Sequence, residues 1–123
     1  MEIMEVMNQY YDAYNGGGYD KAPFSDDLVF ESLFGKVEGR ENVIKHLIEA
    51  HGGDIVQEKL VPTNILINNN RVGVELDGEL SFKEDVPDFP FGTAKKGESI
   101  VVKFAAFYEI ADDKIKKVTV YRL

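Results

Sequence analysis

The sequence contains no cysteine, which excludes a disulfide framework, a thiolate zinc site and a cysteine nucleophile. It is also short of base, with 14 lysines and arginines against 22 acidic residues and a formal charge of -8. A surface of that sign repels phosphate backbones, so no nucleic acid is expected as a partner. Lys114, Lys116 and Lys117 are the densest basic group, and a solvated hairpin end accounts for them. Long apolar runs are missing too: none approaches the ~18 residues that span a bilayer. The opening Met1-Glu2-Ile3-Met4-Glu5 carries acid where a secretory signal carries base. No membrane partner and a cytoplasmic location are therefore expected.

What is present suits one domain, expected to span residues 1–123. A hydrophobic content of 44%, with 11% aromatics, fills one core and leaves no room for a second. Ile3, Met7, Tyr10 and Tyr14 recur at helical spacing, with Glu5, Asn8, Gln9 and Asp12 opposite, which predicts an amphipathic helix. Asn15 and the following Gly16-Gly17-Gly18 end it. After Ser25-Asp26-Asp27, Leu28 to Phe34 alternates as a half-buried strand. A second helix is predicted from about Arg40 to His51, with Val43, Ile44, Leu47, Ile48 and Ala50 on its inner face and Gly52-Gly53 as its stop.

The rest reads as a meander: Ile55 to Ile67 with a break at Pro62, then Val72 to Phe82, Ser99 to Ile110 and Ile115 to Leu123. Asn68-Asn69-Asn70 and Ala111-Asp112-Asp113 are tight-turn chemistry. Lys83 to Glu98 is a long loop holding Pro87, Pro90, Gly92 and Gly97. Its Val86, Phe89 and Phe91 are more apolar than exposure favours, so a mobile flap that turns Phe89 and Phe91 toward a cavity is expected. Helices first and antiparallel strands after is an α+β order in which helices cover one sheet face.

Four strings carry a resemblance over nearly the whole chain: the tyrosine-bearing first helix ending in YNGGGYD, then FSDDLVFESLFG, GRENVIKHL and FAAFYEIADDKIKKVTVYRL. In order and spacing they resemble the nuclear transport factor 2-like superfamily, which includes ketosteroid isomerase, scytalone dehydratase and SnoaL-type polyketide cyclases. The resemblance implies a cone-shaped, strongly bent, mostly antiparallel sheet wrapped around N-terminal helices, an apolar cavity open at one end, and a homodimer through the outer sheet face. It also implies that the isomerase base falls at Ser32, which takes up no proton without a base of its own. The oxyanion tyrosine falls at Tyr10, and the partner acid near Ala106, where there is no donor. Classical ketosteroid isomerase activity is therefore not expected.

By the family's inward parity the cavity is lined by Phe30, Ser32 and Phe34, by Val72, Val74, Leu76 and Leu80, by Phe104, Ala106 and Tyr108, and by Val118, Val120 and Arg122. Such a wall, with few hydroxyls, suits a small apolar ligand and equally suits a plain core. Tyr10 and Tyr14, one turn apart, either pack with their hydroxyls at the rim or bind a ligand oxygen. Ser32 reads as a residue that makes room, since no nucleophile elbow surrounds it. His51 falls within the apolar stripe of its helix. It is either a general acid or base or a cap on the last carbonyls of that helix. His46, at the stripe's edge, is expected to be exposed. Arg122, if inward, would clamp a ligand carboxylate. Glu75, Asp77 and Glu79 fall on the outward side as a solvated face, so no metal and no cofactor are expected.

Two functions follow. One is a cofactor-independent isomerase, cyclase or dehydratase acting on an apolar carbonyl compound, with Tyr10 or Tyr14 polarising the carbonyl and His51 as base. The alternative is a non-catalytic ligand-binding or dimerisation module. A titratable group facing the cavity within reach of a tyrosine hydroxyl separates them.

Overall fold

A computed structural model describes residues 2–90 and 94–123. The first helix, α1 (Ile3–Asn15), buries Val6, Met7, Tyr10, Tyr11 and Tyr14. Gly17, at φ 73°, supplies the left-handed residue that closes it. Its last residue, Asn15, spans to the sheet. The side-chain amide donates to the Leu60 carbonyl at 3.1 Å and its oxygen accepts from the Leu60 N–H at 2.7 Å. Asn15 thus gives Leu60, on an edge strand, the pairing that a neighbouring strand would give.

Strand β1 (Phe24–Ser32) begins four residues before the expected Leu28. The polar Ser25-Asp26-Asp27 has turn composition, but β6 (Lys114–Arg122) holds it in the sheet. Phe24 pairs with Ile115 in parallel register, and Lys116 reaches Asp27 at 3.3 Å. A short strand unforeseen from the sequence, β2 (Gly35–Glu38), folds back on β1 with Ser32 opposite Gly35. It is too short to declare a period, and it puts Leu33 and Phe34 at a hairpin tip, 56% and 54% exposed.

Helix α2 (Arg40–Ala50) buries Val43, Ile44 and Leu47, with His51 as its C-cap. Ile48 and Ala50 are exposed rather than inward. The line that faces the core is Val43, Leu47 and His51, one turn apart each, and Ile48 falls outside it.

The remaining strands β3 (Val56–Asn68), β4 (Arg71–Phe82) and β5 (Ser99–Ala111) complete a six-stranded sheet in the order β2-β1-β6-β5-β4-β3. Among the described residues only the β1–β6 pairing is parallel. Asp112 and Asp113, both left-handed, make the two-residue turn into β6. The fold is the expected α+β cone, a strongly bent sheet around the helices. Inward residues of β4 are all but sealed, Val72, Val74, Leu76 and Leu80 at 4% exposure or less, while Glu75 and Glu79 point outward. On the convex side Val101, Phe107 and Tyr121 remain in water.

Candidate functional site

A cavity of about 420 Å³ lies between α1, α2 and the concave face of the sheet. Most of its wall is apolar. Phe30, Phe104, Leu76 and Val120 line it from the strands, and Phe89 and Pro90 from the loop after β4. That loop is tied by a bridge between Val86 and Ala94, and Phe89 packs edge-on against Phe82. Phe91, expected to turn inward with it, lies outside the described residues. Leu33 and Phe34, lining yet exposed, mark the mouth.

Of the residues singled out from the sequence, Tyr10, Tyr14, Phe30, Ser32, Phe34, His51, Phe104 and Tyr108 all line this cavity. Arg122 does not. It shares the parity of Val118 and Val120, but β6 runs past the lining, leaving Arg122 exposed; the structure brings no carboxylate clamp to the site. Ser32 accepts the Phe34 N–H at 3.2 Å, a turn contact. His46 corrects another expectation: it is half-buried, lines the cavity and lies with its ring 6.0 Å from Phe30.

The polar groups gather at one place, around a carboxylate the sequence reading passed over. Glu58 on β3 projects from the same face as Val56 and Leu60, both buried. Its Oε1 accepts the Tyr14 hydroxyl at 2.5 Å and lies 3.2 Å from His51 Nε2. No hydrogen bond reaches its Oε2 among the described residues. The signal was legible as one acid on an otherwise apolar strand face, Val56-Glu58-Leu60.

His51 is 7% exposed and both ring nitrogens are engaged. Nδ1 lies 2.6 Å from the Leu47 carbonyl, which can only accept, so Nδ1 carries a hydrogen. Nε2 then faces Glu58, and that contact closes as a hydrogen bond only with a proton between the two. Burial lowers the imidazole pKa, but the hydrogen bonds to Glu58 and Leu47 and the charge of Glu58 together outweigh it, and the net shift is upward. The cap expected of this histidine is in place on the Leu47 carbonyl, and its other ring nitrogen faces an acid. Tyr19 stacks on the imidazole with centroids 5.8 Å apart, its hydroxyl 3.3 Å from Nδ1.

Burial, followed by the charge of Glu58, pushes the Tyr14 hydroxyl far above its ordinary range and Tyr19 up to about 12. Burial above all does the same for Tyr10 and Tyr108. These phenols stay protonated near neutrality and serve as donors, never as bases. Among the described residues no cluster of histidines and acids suits a metal ion, and no helix is long and apolar enough to cross a membrane.

The architecture recurs in solved structures. A protein of Pseudomonas putida KT2440 provisionally named a polyketide cyclase is 25% identical, with a TM-score of 0.79 over 98% of this chain and 91% of its own. A second protein so named, from Xanthomonas campestris pv. campestris, is 23% identical, with a TM-score of 0.78 over 97% and 88%. An LEH-like epoxide hydrolase of M. tuberculosis, 17% identical, shares the fold at a TM-score of 0.76 over 98% and 82%. No curated protein matches the sequence. The profile of the SnoaL-like domain matches residues 7–118, most of the chain and every cavity-lining residue named above except Val120, and the chain belongs to the SnoaL-like domain family.

Proposed function

We propose that this protein binds a small, mostly apolar carbonyl compound and moves a proton on it without a cofactor, as an isomerase, cyclase or dehydratase does. The observation that carries the reading is Glu58, a carboxylate within hydrogen-bond reach of a tyrosine hydroxyl and an imidazole at one end of an apolar cavity. Oε1 is held by Tyr14 and His51, which leaves Oε2 to take a proton from the carbon next to the carbonyl. His51, with both nitrogens engaged, acts through Glu58 by orienting it and balancing its charge. It is a positioning residue rather than the base expected from the sequence. Tyr10 donates to the carbonyl oxygen as that oxygen gains negative charge. The apolar wall favours a neutral ring compound over a ligand carboxylate, for which the cavity has no arginine.

The test is solvent deuterium incorporation, followed by NMR, into a panel of one- to three-ring ketones carrying hydrogen next to the carbonyl. Exchange in the native protein, lost in Glu58→Gln with ligand binding kept, is the expected result. Binding without exchange would leave the non-catalytic module as the function. Binding of no apolar compound would remove both readings.

We also propose a homodimer through the convex sheet face. Val101, Phe107 and Tyr121 are 59%, 57% and 53% exposed there, and the Phe107 and Tyr121 rings meet edge-on at 6.1 Å. An apolar strip of that kind is covered in most stable proteins. Sedimentation that finds only the 13.9 kDa chain at micromolar concentration would remove the dimer.

A further inference from the structure

Gly78 sits in the middle of β4, paired with Leu60 on one side and Val102 on the other. Glycine in a strand interior costs stability through chain entropy and missing packing, so its presence needs a cause. Its backbone is not left-handed, and conformation therefore does not demand it. Space does. A Cβ at this position would stand 2.8 Å from Glu58 Oε2 and 2.8 Å from Phe104 Cε2, both closer than unstrained carbon contacts allow. The bare backbone of Gly78 is the seat on which the free oxygen of Glu58 lies.

We infer that Gly78 is a positioning residue of the proton-transfer site, its missing side chain holding open the place that Glu58 Oε2 needs while Oε1 stays with Tyr14 and His51. The inference rests on the proposed role of Glu58. Its mechanics follow from the carboxylate plane: Oε1 and Oε2 are fixed to one carbon, so a push on Oε2 moves Oε1 as well. Oε1 has two short contacts to lose, Tyr14 at 2.5 Å and His51 at 3.2 Å. The groups that face His51 are Glu58, the Tyr19 hydroxyl and the Tyr14 ring, with the Leu47 carbonyl on its own helix. Of these, Glu58 supplies the atom nearest to a Cβ at Gly78.

The experiment is an NMR titration of the two histidine rings in the full chain without ligand, for the native protein, Glu58→Gln, Gly78→Ala and the double variant. Glu58→Gln should move the His51 titration to lower pH. Gly78→Ala should move His51 in the same direction, and in the Glu58→Gln background it should add nothing, since both changes act through one carboxylate. A Gly78→Ala protein that titrates as the native one does, or that shifts His51 equally when Glu58 is already gone, overturns the inference. Failure of Glu58→Gln itself to move His51 would instead remove the pairing on which the proposed function stands. Should Gly78→Ala not fold, Gly78→Ala with Phe104→Leu relieves the ring contact while leaving the new Cβ against Oε2. The same downward move, absent in Phe104→Leu alone, is expected there, and a native titration overturns the inference.

Discussion

Tyr10 and Tyr14 stand one turn apart on the same helix, both buried, with ring centroids 5.8 Å apart. Their surroundings differ in kind. Tyr14 gives its hydrogen to Glu58 and lies edge-on to Tyr19 and His51, at 5.1 and 6.1 Å. Tyr10 is packed among Tyr11, Phe24 and Tyr108, at 5.2, 5.7 and 5.5 Å, and the hydroxyl of Tyr11 is buried there without a partner among the described residues. The same phenol thus serves two ends. Beside a carboxylate its hydrogen is committed to Glu58; among other phenols it stands next to the hydroxyls of Tyr11 and Tyr108, and in the proposed reaction it donates to the ligand oxygen. In the proposed reaction one wall of the cavity supplies the proton acceptor and the other the donor, the pairing that proton transfer next to a carbonyl requires.

Breaking the acceptor wall should cost most. Glu58→Gln keeps the shape of the side chain and removes the basic oxygen, so exchange into a ketone should fall by about 10²–10⁴ with ligand affinity retained. On the donor wall, Tyr10→Phe should cost about 10²–10³ in rate and little in packing. Tyr14→Phe removes one hydrogen bond to a charged group, about 1.5–3 kcal/mol. Part of that falls on stability, so its effect on rate should be the smallest of the three. Steady-state rates of the three variants on one substrate check the order; a Tyr14→Phe loss equal to that of Glu58→Gln would mean that the two tyrosines do not divide the work as described.

The donor wall was more legible in the sequence than the acceptor wall, for a physical reason. Tyr10 and Tyr14 declare themselves through the period of α1, and the parity of β4 and β5 through clean alternation. Glu58 lies on a strand whose alternation breaks at Pro62, where the register with β4 shifts, so Val56-Glu58-Leu60 is a legible signal but too short to mark one face of Ile55 to Ile67 as the inner one. The orientation of His51 could be read from its helix, but its acid partner comes from β3, across a packing contact that no local pattern encodes. Arg122 shows the converse limit: parity was read from the strand, whereas the place where the cavity ends depends on how six strands bend together.

The link between α1 and β3 is the next point to break. Asn15 holds the Leu60 N–H and carbonyl, two residues from Glu58 and next to Tyr14, and together with the Tyr14–Glu58 hydrogen bond it ties α1 to the acceptor strand. Asn15→Ala should destabilise the fold by about 1–3 kcal/mol, through two partly buried backbone groups left unpaired. Denaturant titration measures it. A change within error would show that water replaces the amide and that packing and the Tyr14–Glu58 hydrogen bond suffice to fix α1.

The smallest effect expected is the pH dependence of stability, and it separates the walls by sign. The pKa of His51 is raised in the folded state from an ordinary value of 6.5, so folding binds its proton more tightly than the unfolded chain does. Its stabilising contribution is therefore fully present below that ordinary value and is lost as pH rises through the folded one. Across this window the folded chain holds more protons than the unfolded, and stability declines with rising pH. The difference in unfolding free energy between the native protein and His51→Gln should shrink over the same interval, with its upper end where NMR places the folded His51 titration. Tyr10→Phe, whose lost hydroxyl stays protonated throughout, should instead change stability by an amount that does not vary with pH. A native-to-His51→Gln difference that stays flat or grows as pH rises would show that Glu58 does not favour the imidazolium, and the acceptor wall would lose its charge balance.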